Sequence, residues 1–316
     1  MAPTITQNDR KLLASIVEHK VLTVKQLSVL SQRSCQVVRR RMRILTTEGL
    51  IITKMQGYGR SQGRPEDLIF LTGKGASLLV DEGIPSGSAA CTTTDKAENT
   101  FSLDHLLLVN WFRIHLLEIK RTIPQASVCY LNPSSHALAR DSGDSPSFSE
   151  RIPANNRLGK TIEFIPDGVF SIAHKETEKK TLLFFLEADM GTETIASIDR
   201  DDKDIRQKIL NYQALFRSGN YKRYERVFDS KLNGFRLLFL VNSAARLISL
   251  CKLVREMPPS DFIWLVDQGK MFCHGLSAKI WARGGRDDVP PESILGPRLA
   301  CELPVLDSKE QSLGKD

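Results

Sequence analysis

Two carboxylates in the second half of the chain stand where apolar strands are expected to end, and together they could bind a metal ion. Asp167 follows an apolar run that closes with Ile165-Pro166, and Glu187 follows the run Leu183 to Leu186. If the two strands are neighbours in one sheet, both carboxylates can converge on a divalent cation, which prefers hard oxygen ligands. Such an ion generates a hydroxide nucleophile and stabilises a pentavalent phosphate, so the pattern predicts a site that cuts phosphodiesters. The alternative is that Asp167 belongs to a simple turn and Glu187 is an ordinary strand-end carboxylate.

The elements that would position these carboxylates are one long helix, a hairpin-rich run of strands, and then helices that alternate with strands. Ser102 to about Arg121 has apolar residues at helical spacing, with Leu103, Leu106, Leu107, Ile114 and Leu117 as the expected buried stripe. The stretch 132–158 is rich in Ser, Pro, Asn and Asp and is too long for an ordinary connection, which predicts a mobile loop. The whole pattern predicts an α/β or α+β domain. Its other predicted elements are strands at 126–130, 161–165, 169–173, 181–186, 236–241 and 262–266, and helices at 199–217 and 244–257.

Positive charge is concentrated in the first 86 residues. This stretch holds 13 basic and seven acidic residues, so it supplies 13 − 7 = +6 of the total formal charge of +7. The basic residues cluster in Arg39-Arg40-Arg41-Met42-Arg43 and in the glycine-broken run 57–65. A localised positive surface of this kind displaces counterions from phosphates, which favours a nucleic-acid-binding module.

A helix between Ser34 and Gly49 would separate arginines from apolar residues. Ser34 is a suitable N-cap and Gly49 a suitable stop. At about 100° per residue, one sector carries Gln36, Arg39, Arg40, Arg43 and Thr47, and the opposite sector carries Val38, Met42 and Leu45. Polar residues outward and apolar residues inward are typical of a recognition helix.

The neighbouring segments complete the pattern of a winged helix. Two predicted helices precede the basic one, at Asn8–His19 and after the N-cap Thr23, and two β-prone segments follow it at 50–53 and 68–71. The predicted wing tip is 56–66, and a further helix is expected from Thr72 to about Glu82. The prediction is that Gln36, Arg39, Arg40 and Arg43 face the major groove of double-stranded DNA, while Arg60 and Arg64 on the wing reach phosphates or the minor groove. The alternative is that the arginine run is a solvated surface.

The combination of these motifs resembles a known family. Ile-Pro-Asp-Gly followed by Phe-Leu-Glu-Ala-Asp resembles the core of the PD-(D/E)XK nuclease superfamily. A winged helix in front of Pro-Asp, Leu-Glu-x-Asp-x-Gly-Thr-Glu and a Lys…Tyr helix resembles the replication-relaxation family of plasmids and integrative elements. It is also similar to the MobC class of plasmid relaxases. The resemblance covers most of residues 8–241 and implies a PD-(D/E)XK nuclease-like α/β domain after an N-terminal winged helix-turn-helix domain.

The resemblance also implies roles for individual residues. Asp167 matches the first acid of the motif and Glu187 the second, so both are expected to hold Mg²⁺ or Mn²⁺. The motif's lysine should stand two residues later, where this chain has Asp189, expected as an additional ligand. A substitute cation is expected on the next helix, where Lys208 and Tyr212 are one turn apart and Lys203 is a weaker candidate. Glu118 and His105 on the long helix could complete the site.

The resulting hypothesis is a DNA-binding protein of a mobile element that nicks DNA with a metal ion. The predicted domains are 1–86 (winged helix), 87–101 (linker), 102–283 (nuclease-like) and 284–316 (irregular tail). The runner-up is a non-catalytic regulator or replication accessory factor, and a transcriptional regulator with a small-molecule sensor is a more distant third. The six cysteines show no paired spacing and the histidines no zinc pattern, so reduced thiols and no structural metal are expected. No apolar run is long enough for a membrane span, which predicts a cytoplasmic protein; other mobilisation proteins and a homodimer are further expected partners.

Overall fold

The computed structural model describes residues 5–54, 66–81, 100–131, 150–153, 161–175, 181–195, 204–303 and 306. The chain divides into two compact units, residues 1–114 and 115–316. The division falls within one long helix, α5 (Thr100–Thr122). Most of the predicted linker 87–101 and nearly all of the predicted wing tip lie outside the described residues, as do Arg60, Arg64 and Lys203.

Three capped helices open the first unit, and the caps explain where each one begins. Thr6 and Thr23 form capping boxes at the starts of α1 (Gln7–His19) and α2 (Val24–Ser31). Ser34 caps α3 (Cys35–Thr47) by accepting a hydrogen bond from the amide of Val37. Gly49 follows α3 with a φ of +69°, a conformation that favours glycine and ends the helix. The predicted N-caps and the predicted stop of the basic helix are therefore confirmed.

A small antiparallel sheet follows these helices. Strands β1 (Val21–Thr23), β2 (Ile51–Lys54) and β3 (Leu68–Leu71) pair in the order β1-β3-β2, and α4 (Gly73–Asp81) comes next. One apolar cluster, which includes Leu13, Ile16, Val38, Leu45 and Ile69, joins the helices to the sheet. Arg41 of α3 forms an ion pair with the fully buried Asp9 of α1.

A six-stranded mixed sheet forms the centre of the second unit. Its strands are β4 (Ala126–Leu131), β7 (Gly168–His174), β8 (Thr181–Asp189), β9 (Phe235–Val241), β10 (Ile263–Asp267) and β11 (Ala282–Arg283), in the order β11-β10-β9-β8-β7-β4. The strands β8, β9 and β10 are parallel, and β7 is antiparallel to β8. A separate antiparallel pair is formed by β5 (Glu150–Pro153) and β6 (Thr161–Phe164). The prediction of an α/β fold is confirmed.

Helices α6 and α8 cover one face of this sheet. The helices of the second unit after α5 are α6 (Ile205–Ser218), α7 (Tyr224–Phe228), α8 (Ala244–Arg255) and α9 (Gln268–His274). Leu183 and Phe185 of β8 pack in one cluster with Ile209 of α6 and Leu250 of α8. Since side chains alternate along a strand, Glu187 and Asp189 lie on the same face as these two residues. None of the helices in the described part of the chain is long and apolar enough to cross a bilayer.

Several predictions for the second unit were wrong. The expected loop 132–158 contains the strand β5, which pairs with β6 and whose buried Glu150 accepts hydrogen bonds from Arg223 and Tyr224, more than 70 residues away. The helix predicted to start at residue 199 has Asp204 as its N-cap and begins at Ile205. The stripe of α5 also differs, because Leu103, Leu106, Leu107 and Leu117 are only partly buried. Helices α7 and α9 and strand β11 were not predicted.

Candidate functional site

The outward sector of α3 is lined by exposed polar and charged side chains. Gln36, Arg39, Arg40 and Arg43 are exposed, and no ion pair joins these three arginines to another described residue. On the opposite sector Val38, Met42 and Leu45 are buried. We call Gln36, Arg39, Arg40 and Arg43 the α3 arginine face.

Arg41, the fourth arginine of the run, has a different role. Its Nε donates to Oδ1 of Asp9 at 2.7 Å, and its terminal nitrogen contacts the other carboxylate oxygen. Burial by itself would raise the pKa of Asp9, but hydrogen bonds from Arg41 and Thr6 bring it below the ordinary value. Arg41 therefore ties α3 to α1, and this leaves the α3 arginine face as the part of the run that is available to a ligand.

The second site lies at the carboxyl end of β8, next to the amino end of β7. The amide of Asp167 donates to the carbonyl of Leu186 at 3.0 Å, and Oδ2 of Asp167 accepts from the amide of Ala188 at 2.8 Å. Asp167 and Glu187 therefore stand side by side at one sheet edge, as the apolar runs of the sequence indicated. In open α/β sheets, ligands bind at the carboxyl edge of the parallel strands.

Lys208 and Tyr212 of α6 both contact Glu187. The Tyr212 hydroxyl donates to Oε1 of Glu187 at 2.6 Å, and Nζ of Lys208 donates to Oε2 at 3.1 Å. The same ammonium donates to Oε1 of Glu193 at 2.8 Å. We call Asp167, Glu187, Glu193, Lys208 and Tyr212 the acid–lysine cluster. Glu193 was missed in the sequence, although the signal was present as the last residue of Leu-Glu-x-Asp-x-Gly-Thr-Glu.

The electrostatics of the acid–lysine cluster follow from its burial. Burial raises the pKa of Glu187 to about 7, and the charge of Asp167 adds to this effect, whereas Lys208 and Tyr212 act against it. Burial also works to lower the pKa of Lys208, but Glu187 and Glu193 outweigh it and raise this pKa above the ordinary value. Lys208 is therefore a fixed cation beside two carboxylates.

Asp189 is engaged differently from the other predicted ligands. Its Oδ2 accepts from Nε of Arg246 at 2.5 Å and its Oδ1 accepts from the amide of Gly191 at 2.8 Å. Both side chains of this ion pair are largely buried, with exposed fractions of 2% for Asp189 and 13% for Arg246. Arg246 could not be found from sequence, because it lies 57 residues away on α8.

The donor set suits a divalent cation only in part. Asp167 and Glu187 are adjacent carboxylates that repel each other, and a cation would relieve this repulsion. The oxygens of Asp189 already accept from Arg246 and Gly191. Within the described ranges, no group of three or more His, Cys, Asp and Glu side chains is arranged to hold a metal ion. Two further residues were expected to complete the metal site. Glu118 forms an ion pair with Arg121, and His105 belongs to the unit of residues 1–114.

Comparison with known proteins identifies one family. A family model described as replication-relaxation matches residues 13–230, which is more than half of the chain. The matched range contains the α3 arginine face and the whole acid–lysine cluster, and it ends before Arg246. No curated protein and no solved structure matches the chain.

Proposed function

Because the chain belongs to the replication-relaxation family, we propose that it is a DNA-binding protein that acts at a site on a plasmid or integrative element. Family membership indicates a role in plasmid replication or mobilisation. The proposed ligand is double-stranded DNA, and the proposed reader is α3, the third helix of a winged helix-turn-helix domain.

The single observation that carries this proposal is that one arginine of the run is paired within the protein and the other three are exposed. Arg41 is committed to Asp9, whereas Arg39, Arg40 and Arg43 point outward on the α3 arginine face. Arginine pairs well with guanine and glutamine with adenine in the major groove, and any of these side chains can also contact phosphates. Arg60 and Arg64 remain sequence-based predictions of further phosphate contacts.

The experiment compares two triple variants that lose the same charge. Arg39→Ala, Arg40→Ala and Arg43→Ala together should weaken binding to duplexes selected from a random pool by at least about 100-fold, since each good base contact is worth about 1–3 kcal/mol. The matched control removes Arg217, Lys222 and Arg226, three exposed cations of the second unit. An equal loss in both variants would mean that only net charge matters, and unchanged affinity in the first would exclude α3 as the reader.

A second proposed activity is metal-dependent nicking of DNA by the second unit. The observation that favours it is that Asp167, Glu187, Lys208 and Tyr212 converge at one sheet edge. Asp167 and Glu187 would hold Mg²⁺ or Mn²⁺, which supplies a Lewis acid and an activated water. Lys208 would meet the negative charge that develops on the phosphate, and Tyr212 would keep Glu187 in place.

Calorimetry with Mn²⁺ tests this activity independently of cleavage. Wild type should give a binding heat that Asp167→Ala and Glu187→Ala lack, while Lys208→Ala should retain it. Nicking of supercoiled DNA that carries the element's own origin should require all three residues. If wild type neither binds Mn²⁺ nor nicks this DNA, the second unit is non-catalytic and the protein is an accessory factor.

A further inference from the structure

The segment that follows β8 is held in place by α8. Asp189 at the end of β8 accepts a hydrogen bond from Arg246, and the same guanidinium donates through Nη2 to the backbone carbonyl of Glu193 at 2.6 Å. Arg246 thus joins two points of the chain that are four residues apart. A planar guanidinium with several donors in fixed directions is suited to such a double contact.

A second set of contacts, made by Asn242 between β9 and α8, holds the same segment. The amide of Asn242 donates to the carbonyl of Asp189 at 3.1 Å, and its side-chain nitrogen donates to the carbonyl of Met190 at 2.6 Å. Gly191 has a φ of +75°, and a Cβ at this position would lie 3.2 Å from the side-chain nitrogen of Asn242. The segment 189–193 is therefore fixed at its two ends by Arg246 and in between by Asn242.

The fixed segment carries Glu193, which is one of the two carboxylates that bind the Lys208 ammonium. Glu187 lies on β8 and would stay in the sheet without Arg246, because its strand is paired on both sides. Glu193 lies beyond the strand, and its backbone carbonyl is bound by Arg246. Losing Arg246 would remove this contact and loosen the Glu193 side of the ammonium, although the carbonyls of Thr194 and Ile195 stay bound to the amides of Ile205 and Arg206. The Glu187 side would stay intact.

We infer that Arg246 is a positioning residue that sets the place of the Lys208 ammonium through Asp189 and Glu193. In its consequence for nicking, the inference rests on the activity proposed for the second unit. It explains why the chain has Asp189 where the nuclease motif has lysine: the position is needed as the partner of Arg246. The positive charge that the motif's lysine would supply then comes from Lys208 on α6.

The test reads the Lys208 ammonium directly by nitrogen NMR of the full chain. A lysine ammonium gives an observable signal when hydrogen bonds hold it and slow its exchange with water, and Lys208→Arg identifies which signal is missing. The signal should be present in wild type and lost or broadened in Arg246→Gln. The matched control is Arg255→Gln, on the same helix as Arg246, which breaks the ion pair between Arg255 and Asp287 and should keep the signal.

Two milder variants keep the test decisive if Arg246→Gln fails to fold. Arg246→Lys retains the charge but cannot make both contacts, so it should also lose the signal. Glu193→Gln removes the carboxylate that binds the Lys208 ammonium and leaves the Asp189–Arg246 pair in place. The Lys208 signal should be lost in this variant too. A sharp, unchanged Lys208 signal in either variant, with cooperative unfolding retained, would overturn the inference.

Nicking provides a separate readout. If wild type nicks DNA, Arg246→Gln should lower kcat by roughly tenfold to a hundredfold with little change in KM, because a misplaced cation affects the transition state more than binding. A roughly tenfold to hundredfold rise in KM with an unchanged kcat would contradict a positioning role. Absence of nicking in wild type would overturn the proposed activity alone, since the ammonium signal still decides the position of Lys208.

Discussion

Cations are placed in opposite ways in the two regions of this protein. On the α3 arginine face, Arg39, Arg40 and Arg43 are exposed and form no ion pair with another described residue. At the end of β8, Lys208 and Arg246 each contact carboxylates at distances of 2.5 to 3.1 Å. The first arrangement leaves charge for an external polyanion, whereas the second uses charge to fix the positions of the protein's own side chains. Arg41 shows that both uses occur within one helix.

The largest expected difference between the two regions is in stability. Arg246→Ala leaves Asp189 buried without its charged partner, which should lower the free energy of unfolding by about 3–5 kcal/mol. Arg40→Ala removes an exposed side chain and should change it by less than about 0.5 kcal/mol. Urea denaturation followed by tryptophan fluorescence measures both. Similar values for the two variants would mean that the Asp189–Arg246 pair does not hold the structure and would remove the distinction between the regions.

The two regions should also respond differently to pH. The pKa of Glu187 is raised from 4.5 to about 7, chiefly by burial and then by Asp167. Between these values Glu187 binds more protons in the folded chain than in the unfolded chain, so its contribution to the free energy of unfolding falls as the pH rises from 4.5 to 7. Wild type should lose on the order of 2 kcal/mol relative to Glu187→Gln across this range.

The same pH change should not affect the α3 arginine face, because arginine stays charged throughout. Denaturation of wild type and Glu187→Gln at several pH values measures the predicted stability difference. The DNA affinity of both proteins at the same pH values provides the control. A wild type that gains stability relative to Glu187→Gln as the pH rises from 4.5 to 7 would show that the sign of the Glu187 shift is wrong.

The smallest expected effects come from comparing Arg41→Ala with Arg40→Ala within α3. Arg41→Ala leaves Asp9 with its contacts to Thr6 among the described residues, so we expect a loss of about 1–2 kcal/mol in stability. Because Arg41 does not point outward, DNA affinity should fall less than tenfold under conditions where the variant is folded. Arg40→Ala should show the reverse, with normal stability and weaker binding. If Arg41→Ala weakens binding as much as Arg40→Ala, the division of the run into structural and ligand-binding arginines fails.

Local patterns made the first unit largely predictable from sequence. The caps Thr23 and Ser34, the stop at Gly49 and the spacing of Val38, Met42 and Leu45 all act within one or two helical turns. Such signals are read from neighbouring residues, so they give both the element and the face that it buries.

In the second unit most of the predicted strands and helices are present, but the site could be anticipated only where an apolar strand ends. Asp167 and Glu187 could be paired because their strands are marked by runs of apolar residues. Other partners in the second unit are distant in sequence: Arg246 lies 57 residues from Asp189 near the site, and Tyr224 lies 74 residues from Glu150 of β5. Burial of an acidic residue with a distant partner leaves no periodic signal, which is why β5 and the role of Asp189 could not be anticipated.

The most direct test of the central claim is the salt dependence of DNA binding. For a protein that contacts phosphates, log K falls linearly with log salt, with a slope of about −0.9 for each neutralised phosphate. We expect Arg39→Ala, Arg40→Ala and Arg43→Ala together to reduce this slope by about 2 to 3 units, and the control that removes Arg217, Lys222 and Arg226 to leave it unchanged. Equal slopes together with equal affinities for wild type and the α3 triple variant would contradict the claim that exposed arginines of α3 bind the DNA.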